Sequence, residues 1–313
     1  MVLAPVHIDG LVDIHCHGAV GHEFGRSGAG SRAAVRHHQT SGTATVVASL
    51  VSARPDELEQ QVDRLLPLVR DSTIAGLHLE GPFLSSAQRG AHDPAVLADP
   101  DPDLLERLVE RAAQGGAPHA IRHLTLAPEL PGAERLIRRC VQLGVRPALG
   151  HTDAAADLMT RHLQLIADLQ GAPALVTHLF NGMRPFHHRA GGPAAAGLRA
   201  AAAGEAVVEL IADGVHLAAE VVRMVFETVG PDAVALVSDA TAATGLGDGR
   251  HRLGTLEVVV EDGVARLRAT GALAGSTRTL AHGVRWAVSV AGVAVADALR
   301  AAQVTGARAL GLD

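Results

Sequence analysis

Eight short apolar runs along the first 240 residues constrain the fold most strongly. The stretches between them include segments with leucines at helical spacing, as in PDELEQQVDRLLPLVRD (55–71) and DPDLLERLVERAAQ (101–114). Almost continuously apolar strands that alternate with helices indicate a parallel sheet covered by helices. Eight such units predict an α/β fold, a (β/α)8 barrel of the TIM type, which typically takes about 250 residues. The runs are LVDIHCH (11–17), TATVVASL (43–50), IAGLHLEG (74–81), IRHLTLAPE (121–129), RPALGHT (146–152), ALVTHLF (174–180), VVELIAD (207–213) and AVALVSDA (233–240).

The segment after the eighth run predicts an insertion into the barrel. It reads GRHRLGTLEVVVEDGVARLRAT, and the EDG turn between two alternating stretches is typical of a β-hairpin, here at about residues 250–270. The later segments STRTLAHGVRWAVSV and VADALRAAQVTGARALG predict the closing helices. Because no low-complexity linker interrupts the chain, we expect residues 1–313 to form a single barrel domain.

Composition narrows the class of protein. Of 313 residues, 48% are hydrophobic but only 2% are aromatic, so the core must consist of Val, Leu, Ile and Ala. The net charge is −6 without a run of basic residues, which argues against a nucleic-acid partner. No apolar stretch predicts a membrane span or a signal peptide. The only two cysteines, Cys16 and Cys140, fit a reducing compartment, so we expect a cytoplasmic protein.

Metal-ligand and proton-transfer residues follow most of the predicted strands. The active site of such a barrel lies at the carboxyl ends of its strands. His15 and His17 are two residues apart on a strand, so they point to one side and Cys16 to the other. Neutral imidazoles and carboxylates are ligands of divalent cations. The residues at these strand ends are His15, His17, Glu80, His151, His178, Asp213, His216 and Asp239.

Each of these residues, taken singly, has a plain structural explanation. A lone histidine is often an exposed or hydrogen-bonded side chain, Asp239 could cap a helix, and Glu80 could be an ordinary loop carboxylate. Their recurrence at the ends of successive strands, which a barrel brings to one axis, favours a metal site. Such a site supports hydrolysis, and Asp239 is placed to take a proton from water and return it to a leaving amine.

A set of motifs resembles the N-acetylglucosamine-6-phosphate deacetylases of the amidohydrolase superfamily over residues 10–310. The resemblance implies metal-dependent hydrolysis of the acetamide of N-acetylglucosamine 6-phosphate. It implies one or two divalent cations per chain (Zn, Fe(II), Mn or Co). The motifs are DIHCHG, HLEGPFLSSAQRGAHDP, LAPE, LGHTDA, THLFNGM, ELIADGVHL, VSDATAATGL and LAGSTRTL.

The resemblance also assigns residues to roles in the metal centre. Glu80, His151 and His178 resemble the ligands that all members share. His15 and His17 resemble the additional pair of the two-metal members. Asp239 resembles the general base and acid, and would also bind metal.

Substrate recognition is implied in the same way. His92 resembles the residue that polarises the acetamide carbonyl, and His216 resembles a substrate-contacting histidine. Asn181, Gly182 and Arg189, in the loop NGMRPFHHRAGGP, resemble the phosphate-binding residues; a solvated loop is the alternative interpretation. Because a neighbouring subunit can complete the phosphate site in this family, the resemblance implies a homodimer.

Two features depart from the family pattern. The small β-sandwich that usually flanks the barrel is essentially missing, and Thr241 stands where members tend to have Met. Two other functions therefore stay open. One is an amidohydrolase acting on another N-acyl amino sugar, galacto or non-phosphorylated. The other is a catalytically silent barrel that binds a sugar phosphate.

Overall fold

A computed structural model describes residues 8–312, and its main sheet has eight strands. Every neighbouring pair along this sheet is parallel, in chain order. The strands are β1 (Leu11–Cys16), β2 (Thr43–Val51), β3 (Gly76–Glu80), β4 (Ile121–Leu126), β5 (Arg146–Leu149), β6 (Ala174–Val176), β7 (Ala206–Ile211) and β8 (Val234–Val237). The predicted barrel of the TIM type is confirmed.

The seam between β1 and β8 closes at the end of the barrel where the predicted site lies. The amide of Asp239 donates to the His15 carbonyl oxygen at 2.9 Å, and the amide of His17 donates to the Ala240 carbonyl oxygen at 2.8 Å. Barrel closure therefore fixes the backbone of residues 15–17 relative to that of the residues after β8.

Helices cover the outside of the sheet. Two of them, α1 and α3, have a side-chain cap; in α3 Asp101 accepts from the Asp103 amide and Pro102 opens the helix. The helices are α1 (Gly28–Thr40), α2 (Pro55–Arg70), α3 (Pro102–Gln114), α4 (Ala133–Gln142), α5 (Ala156–Gln170), α6 (Gly192–Ala202), α7 (Ala219–Val229), α8 (Leu280–Ser289), α9 (Val295–Arg300) and α10 (Gly306–Leu310). None of the helices within residues 8–312 is long and apolar enough to cross a membrane.

The hydrophobic core has an outer and an inner layer. The outer layer lies between strands and helices, where α3 buries Leu104, Leu105 and Leu108. Burial of each such side chain stabilises the fold by about 1.5–3 kcal/mol. The inner layer fills the lower part of the barrel, where Leu310 of α10 packs with Ile14 of β1. As composition predicted, aliphatic side chains and alanine dominate both layers.

The insertion after β8 is a three-stranded antiparallel sheet, where a single hairpin was predicted. It comprises β9 (Gly249–Leu253), β10 (Leu256–Glu261) and β11 (Val264–Leu267), paired in that order. A second turn, at residues 254–255, makes the extra strand. The apolar face of this sheet has its own small core that includes Leu253 and Val258.

Candidate metal centre and active-site cavity

Three candidate ligands follow their strands at the same distance. His151, His178 and Asp239 each lie two residues after the last residue of β5, β6 and β8. Their φ angles are +47°, +26° and +48°, in the left-handed region that non-glycine residues rarely adopt. A residue held in such a conformation costs about 1–3 kcal/mol, and such residues concentrate at functional sites. The fold therefore carries local strain at the positions that turn these side chains towards the barrel axis.

Glu80, the last residue of β3, is surrounded by imidazole nitrogens. Its Oε1 lies 3.1 Å from Nε2 of His178, 3.2 Å from Nε2 of His151 and 3.4 Å from Nε2 of His15. Its Oε2 lies 3.1 Å from Nε2 of His17. All five side chains are almost completely buried. One carboxylate thus joins the two groups of histidines.

Asp239 completes this cluster on the side of β1. Its Oδ1 lies 3.3 Å from Nε2 of His17 and 3.6 Å from Nε2 of His15. Cys16, between the two histidines, is buried on the outside of the strand against His38 of α1, as predicted. The structure therefore brings all six predicted metal ligands together.

The donor set fits a bound cation. Nδ1 of His151 lies 2.8 Å from the Gln88 carbonyl oxygen, which can only accept, so Nδ1 carries the proton and Nε2 presents a lone pair. Nδ1 of His15 faces the Glu209 carboxylate at 3.0 Å, so Nε2 is the nitrogen that would give up its proton to a cation. Yet Nε2 of His15 is 3.1 Å from Nε2 of His17, and Nε2 of His151 is 3.0 Å from Nε2 of His178. Lone pairs at these distances need a proton or a metal ion to hold them together.

The pKa shifts describe a cluster that competes for protons. Burial is the largest influence on Glu80 and opposes its ionisation, but the charge of His15 and hydrogen bonds from His15 and His151 hold its pKa well below the usual range. Burial also opposes the charged form of His17, but hydrogen bonds to Asp239 and Glu80 raise its pKa to about 9. The pKa of His15 is raised as well, so in the absence of metal both His15 and His17 hold protons, and a cation must displace these protons.

His92 presents a hydrogen-bond donor to the same cluster. Nε2 of His92 lies 3.2 Å from Oε2 of Glu80, a carboxylate oxygen that only accepts, so Nε2 carries the proton. Nδ1 faces the Ser52 amide at 3.4 Å and the Ser52 hydroxyl at 2.9 Å. Burial lowers the pKa of His92 and keeps the imidazole neutral. A neutral imidazole with an N–H directed into the cavity can donate to an oxygen that gains negative charge.

His216, which also lines the active-site cavity, is held by a carboxylate. Its Nδ1 lies 2.9 Å from Oδ2 of Asp213, and this oxygen also accepts from the Ser276 hydroxyl at 2.8 Å. Burial opposes protonation of His216, but the hydrogen bond and charge of Asp213 raise its pKa. The side chain is fixed in one orientation.

A cavity of about 320 Å³ lies over the cluster. The insertion sheet contributes Leu253 to its wall, and the loop after β6 contributes Asn181 and Gly182. Arg189 is exposed on that loop and is not among the described residues that line the cavity. Arg184, an additional basic group of the loop, forms an ion pair with Asp153 at 2.6 Å. A larger cavity of about 590 Å³, beside the insertion sheet, contains none of the predicted site residues.

Comparison with known proteins places this arrangement in a family. Residues 8–313 match the model of the amidohydrolase family. The chain belongs to the amidohydrolase family.

The chain is similar to several named deacetylases. A solved N-acetyl-D-glucosamine-6-phosphate deacetylase from Mycobacterium smegmatis, in complex with N-acetyl-D-glucosamine-6-phosphate, is 41% identical, with a TM-score of 0.89 over 97% of this chain and 77% of that one. The N-acetylglucosamine-6-phosphate deacetylase of Bos taurus is 34% identical over 100% of this chain and 75% of its own length. An N-acetylgalactosamine-6-phosphate deacetylase of Escherichia coli O157:H7 is 35% identical over 87% and 67%. The resemblance seen in the sequence is confirmed.

This amidohydrolase has a buried polar layer beneath the cluster that sequence reasoning missed. The rings of His78 and His123 stack at 3.9 Å, and His78 contacts the hydroxyls of Ser49 and Thr125. Glu209 of β7 contacts His15. The available signal was a polar residue inside each apolar run, at 78, 123 and 209. From sequence alone, each of these residues is simply part of a strand.

Proposed function

We propose that the protein hydrolyses the acetamide of N-acetylglucosamine 6-phosphate to glucosamine 6-phosphate and acetate. The observation that carries the proposal is the convergence of four histidines and two carboxylates below a cavity into which His92 directs its N–H. Relatives with deacetylase names and 34–41% identity support the choice of substrate.

The six clustered residues would hold the metal. Glu80, His151 and His178 would form one position, and His15 and His17 the second, with Asp239 and Glu80 near both imidazoles of the pair. Nitrogen and oxygen donors suit Zn, Fe(II), Mn or Co. When bound, such a cation polarises a carbonyl oxygen and lowers the pKa of water from 15.7 to about 7.

Asp239 would move the proton. Burial opposes its ionisation, but the hydrogen bond to His17 and the charges of His15 and His17 lower its pKa, so it is an anion at neutral pH. It would take a proton from the attacking water as the water oxygen bonds to the carbonyl carbon. It would then give this proton to the amine nitrogen as the C–N bond breaks. His92 would donate to the carbonyl oxygen as negative charge develops there.

The sugar phosphate would lie along the cavity towards the loop after β6. His216, fixed by Asp213, would contact a sugar hydroxyl. Asn181 and Gly182, together with Arg189 of the neighbouring subunit in a dimer, would bind the phosphate. The guanidinium of Arg189 has no acidic partner among residues 8–312, whereas that of Arg184 is engaged by Asp153. A free guanidinium suits a phosphate because it can donate two parallel hydrogen bonds.

The same loop supports a homodimer. Phe186 at its tip is 56% exposed, and Arg189 is exposed beside it, outside the cavity lining. In a dimer, the loop would reach the site of the other subunit. Residues 1–313 would act as one metal-dependent domain in the cytoplasm, where the buried thiols of Cys16 and Cys140 stay reduced.

A second candidate substrate is the galacto epimer, because one relative at 35% identity is an N-acetylgalactosamine-6-phosphate deacetylase. Acetate release distinguishes the candidates when kcat/KM is measured for N-acetylglucosamine 6-phosphate, its galacto epimer and unphosphorylated N-acetylglucosamine. We expect the first to exceed the other two at least about tenfold, a difference of about 1.4 kcal/mol in transition-state binding. A higher kcat/KM for the epimer or for the unphosphorylated sugar would replace the proposed substrate.

A further inference from the structure

Glu209 is a buried carboxylate within an otherwise apolar strand. It lies in β7, and its side chain is 0% exposed in the polar layer below the metal cluster. Burying a carboxylate is costly unless it is paired and hydrogen-bonded. No arginine forms an ion pair with it among the described residues, and its ionic partner there is His15. The Glu209 carboxylate therefore interacts with the cluster of candidate metal ligands, through His15.

One oxygen of Glu209 connects two of the candidate ligands. Oε2 lies 3.0 Å from Nδ1 of His15 and accepts from the His178 amide at 3.1 Å. These two residues belong to different proposed metal positions, one in β1 and the other in the turn after β6. The His178 amide belongs to the left-handed turn after β6, so the bond to Glu209 holds a strained backbone in place.

The contact with His15 fixes the protonation of the ring. An ionised carboxylate only accepts, so Nδ1 of His15 keeps its hydrogen, and in the neutral imidazole Nε2 is the nitrogen whose lone pair faces the cluster. A carboxylate on the far nitrogen also makes the imidazole a stronger ligand. The opposite tautomer would place an N–H against Nε2 of His17, 3.1 Å away.

We propose that Glu209 is a positioning residue that orients His15 and the His178 turn for metal binding, chiefly at the position of His15 and His17. The inference rests on the proposed metal centre. It assigns to Glu209 the selection of the His15 tautomer and the support of a second metal position.

The test is metal affinity in Glu209→Gln, measured by competition with a chromophoric chelator and by metal content per chain. Glutamine is isosteric, but its amide is neutral and can turn an N–H towards Nδ1 of His15, so it no longer enforces the proton on that nitrogen. We expect the more weakly held cation to bind about 10- to 100-fold less tightly. Glu205→Gln, the same substitution at a partly exposed site four residues earlier, is the matched control and keeps wild-type affinity. Thermal unfolding of the metal-free proteins shows whether both variants fold.

A double-mutant cycle with His15→Asn separates positioning from general support of the fold. Once His15 is absent, Glu209→Gln should weaken metal binding much less than it does in the wild type. Equal metal affinity in Glu209→Gln and wild type would overturn the positioning role, and so would the same loss with and without His15. If Glu209→Gln does not fold, Glu209→Asp, which keeps the charge but shortens the reach, carries the same expectation and the same refutation. A wild-type protein that binds no metal would overturn the proposed metal centre itself.

Discussion

At the scale of single residues, Asp239 is the group whose environment most clearly matches a chemical task. Asp239→Asn removes the proton acceptor but keeps the size of the side chain. We expect kcat to fall by about 10²–10⁴, the typical contribution of a general acid–base group. Acetate release at saturating N-acetylglucosamine 6-phosphate, with metal content measured in parallel, checks this. Asp157→Asn, which alters an exposed ion pair with Arg161, should leave kcat unchanged. Near wild-type turnover in Asp239→Asn would contradict the assigned role.

Arg189 allows a prediction about substrate binding that does not involve the chemical step. Arg189→Ala removes a free guanidinium from the proposed phosphate contact, so KM for the sugar phosphate should rise about tenfold or more, with little change in kcat. Arg199→Ala, an exposed arginine on α6, serves as the control. Steady-state kinetics on phosphorylated and unphosphorylated sugars provide the measurement. An unchanged KM for the phosphorylated sugar would exclude Arg189 from phosphate binding.

At the scale of elements, the turn after β6 limits the space available to the imidazole of His151. An added Cβ at Gly182 would lie 2.7 Å from Nδ1 of His151, and the φ of Gly182 is +57°. Gly182→Ala should therefore displace the imidazole, weaken metal binding and lower kcat/KM at least about tenfold, or about 1.4 kcal/mol.

Gly204→Ala is the matched control for this steric effect. Its φ of +75° imposes comparable backbone strain, but nothing lies within 4 Å of the added Cβ. It should lose about 1–2 kcal/mol of stability and keep its metal affinity. Metal titration of both variants measures the loss of metal affinity, and thermal unfolding measures the loss of stability. Equal metal affinity in the two would show that His151 tolerates the added methyl group.

Elements also show which parts of the molecule could be predicted from sequence. The barrel strands follow from apolar runs, and their ends mark the ligands because a parallel barrel brings all carboxyl ends together. The contacts of Glu209 and His123 beneath the cluster cannot be predicted, because one polar residue inside an apolar run does not show which side chain it contacts across the barrel. The pairing of Arg184 with Asp153 and the third strand of the insertion likewise depend on contacts distant in sequence or on a turn that composition only weakly marks.

At the scale of the whole molecule, buried neutral histidines predict acid sensitivity. Burial is the largest cause that lowers the pKa of His38 to about 4 and that of His123 to about 3. The unfolded chain binds protons below about pH 6.5, but the folded chain does so only near these lower values. The contribution of these histidines to the free energy of unfolding is therefore complete above pH 6.5. It decreases as the pH falls towards 4, by about 1.4 kcal/mol per pH unit for each histidine.

The His38→Gln variant isolates one of these contributions. Its free energy of unfolding should depend less steeply on pH between 6.5 and 4 than that of the wild type, whatever its stability at neutral pH. Denaturant unfolding of the metal-free proteins across this range measures the slope. His119→Gln, at an exposed position, should retain the wild-type slope. Identical slopes in all three proteins would show that His38 does not titrate differently on unfolding.

The measurement that tests the central claim most directly is acetate release from N-acetylglucosamine 6-phosphate by the metal-stripped protein, titrated with Zn, Mn, Fe(II) or Co. We expect no acetate without metal and restored turnover on addition. The plateau should lie at two cations per chain, because His15 and His17 converge with Glu80 and Asp239. Undiminished acetate release from the stripped protein, or none with any of the four cations, would contradict a metal-dependent deacetylase.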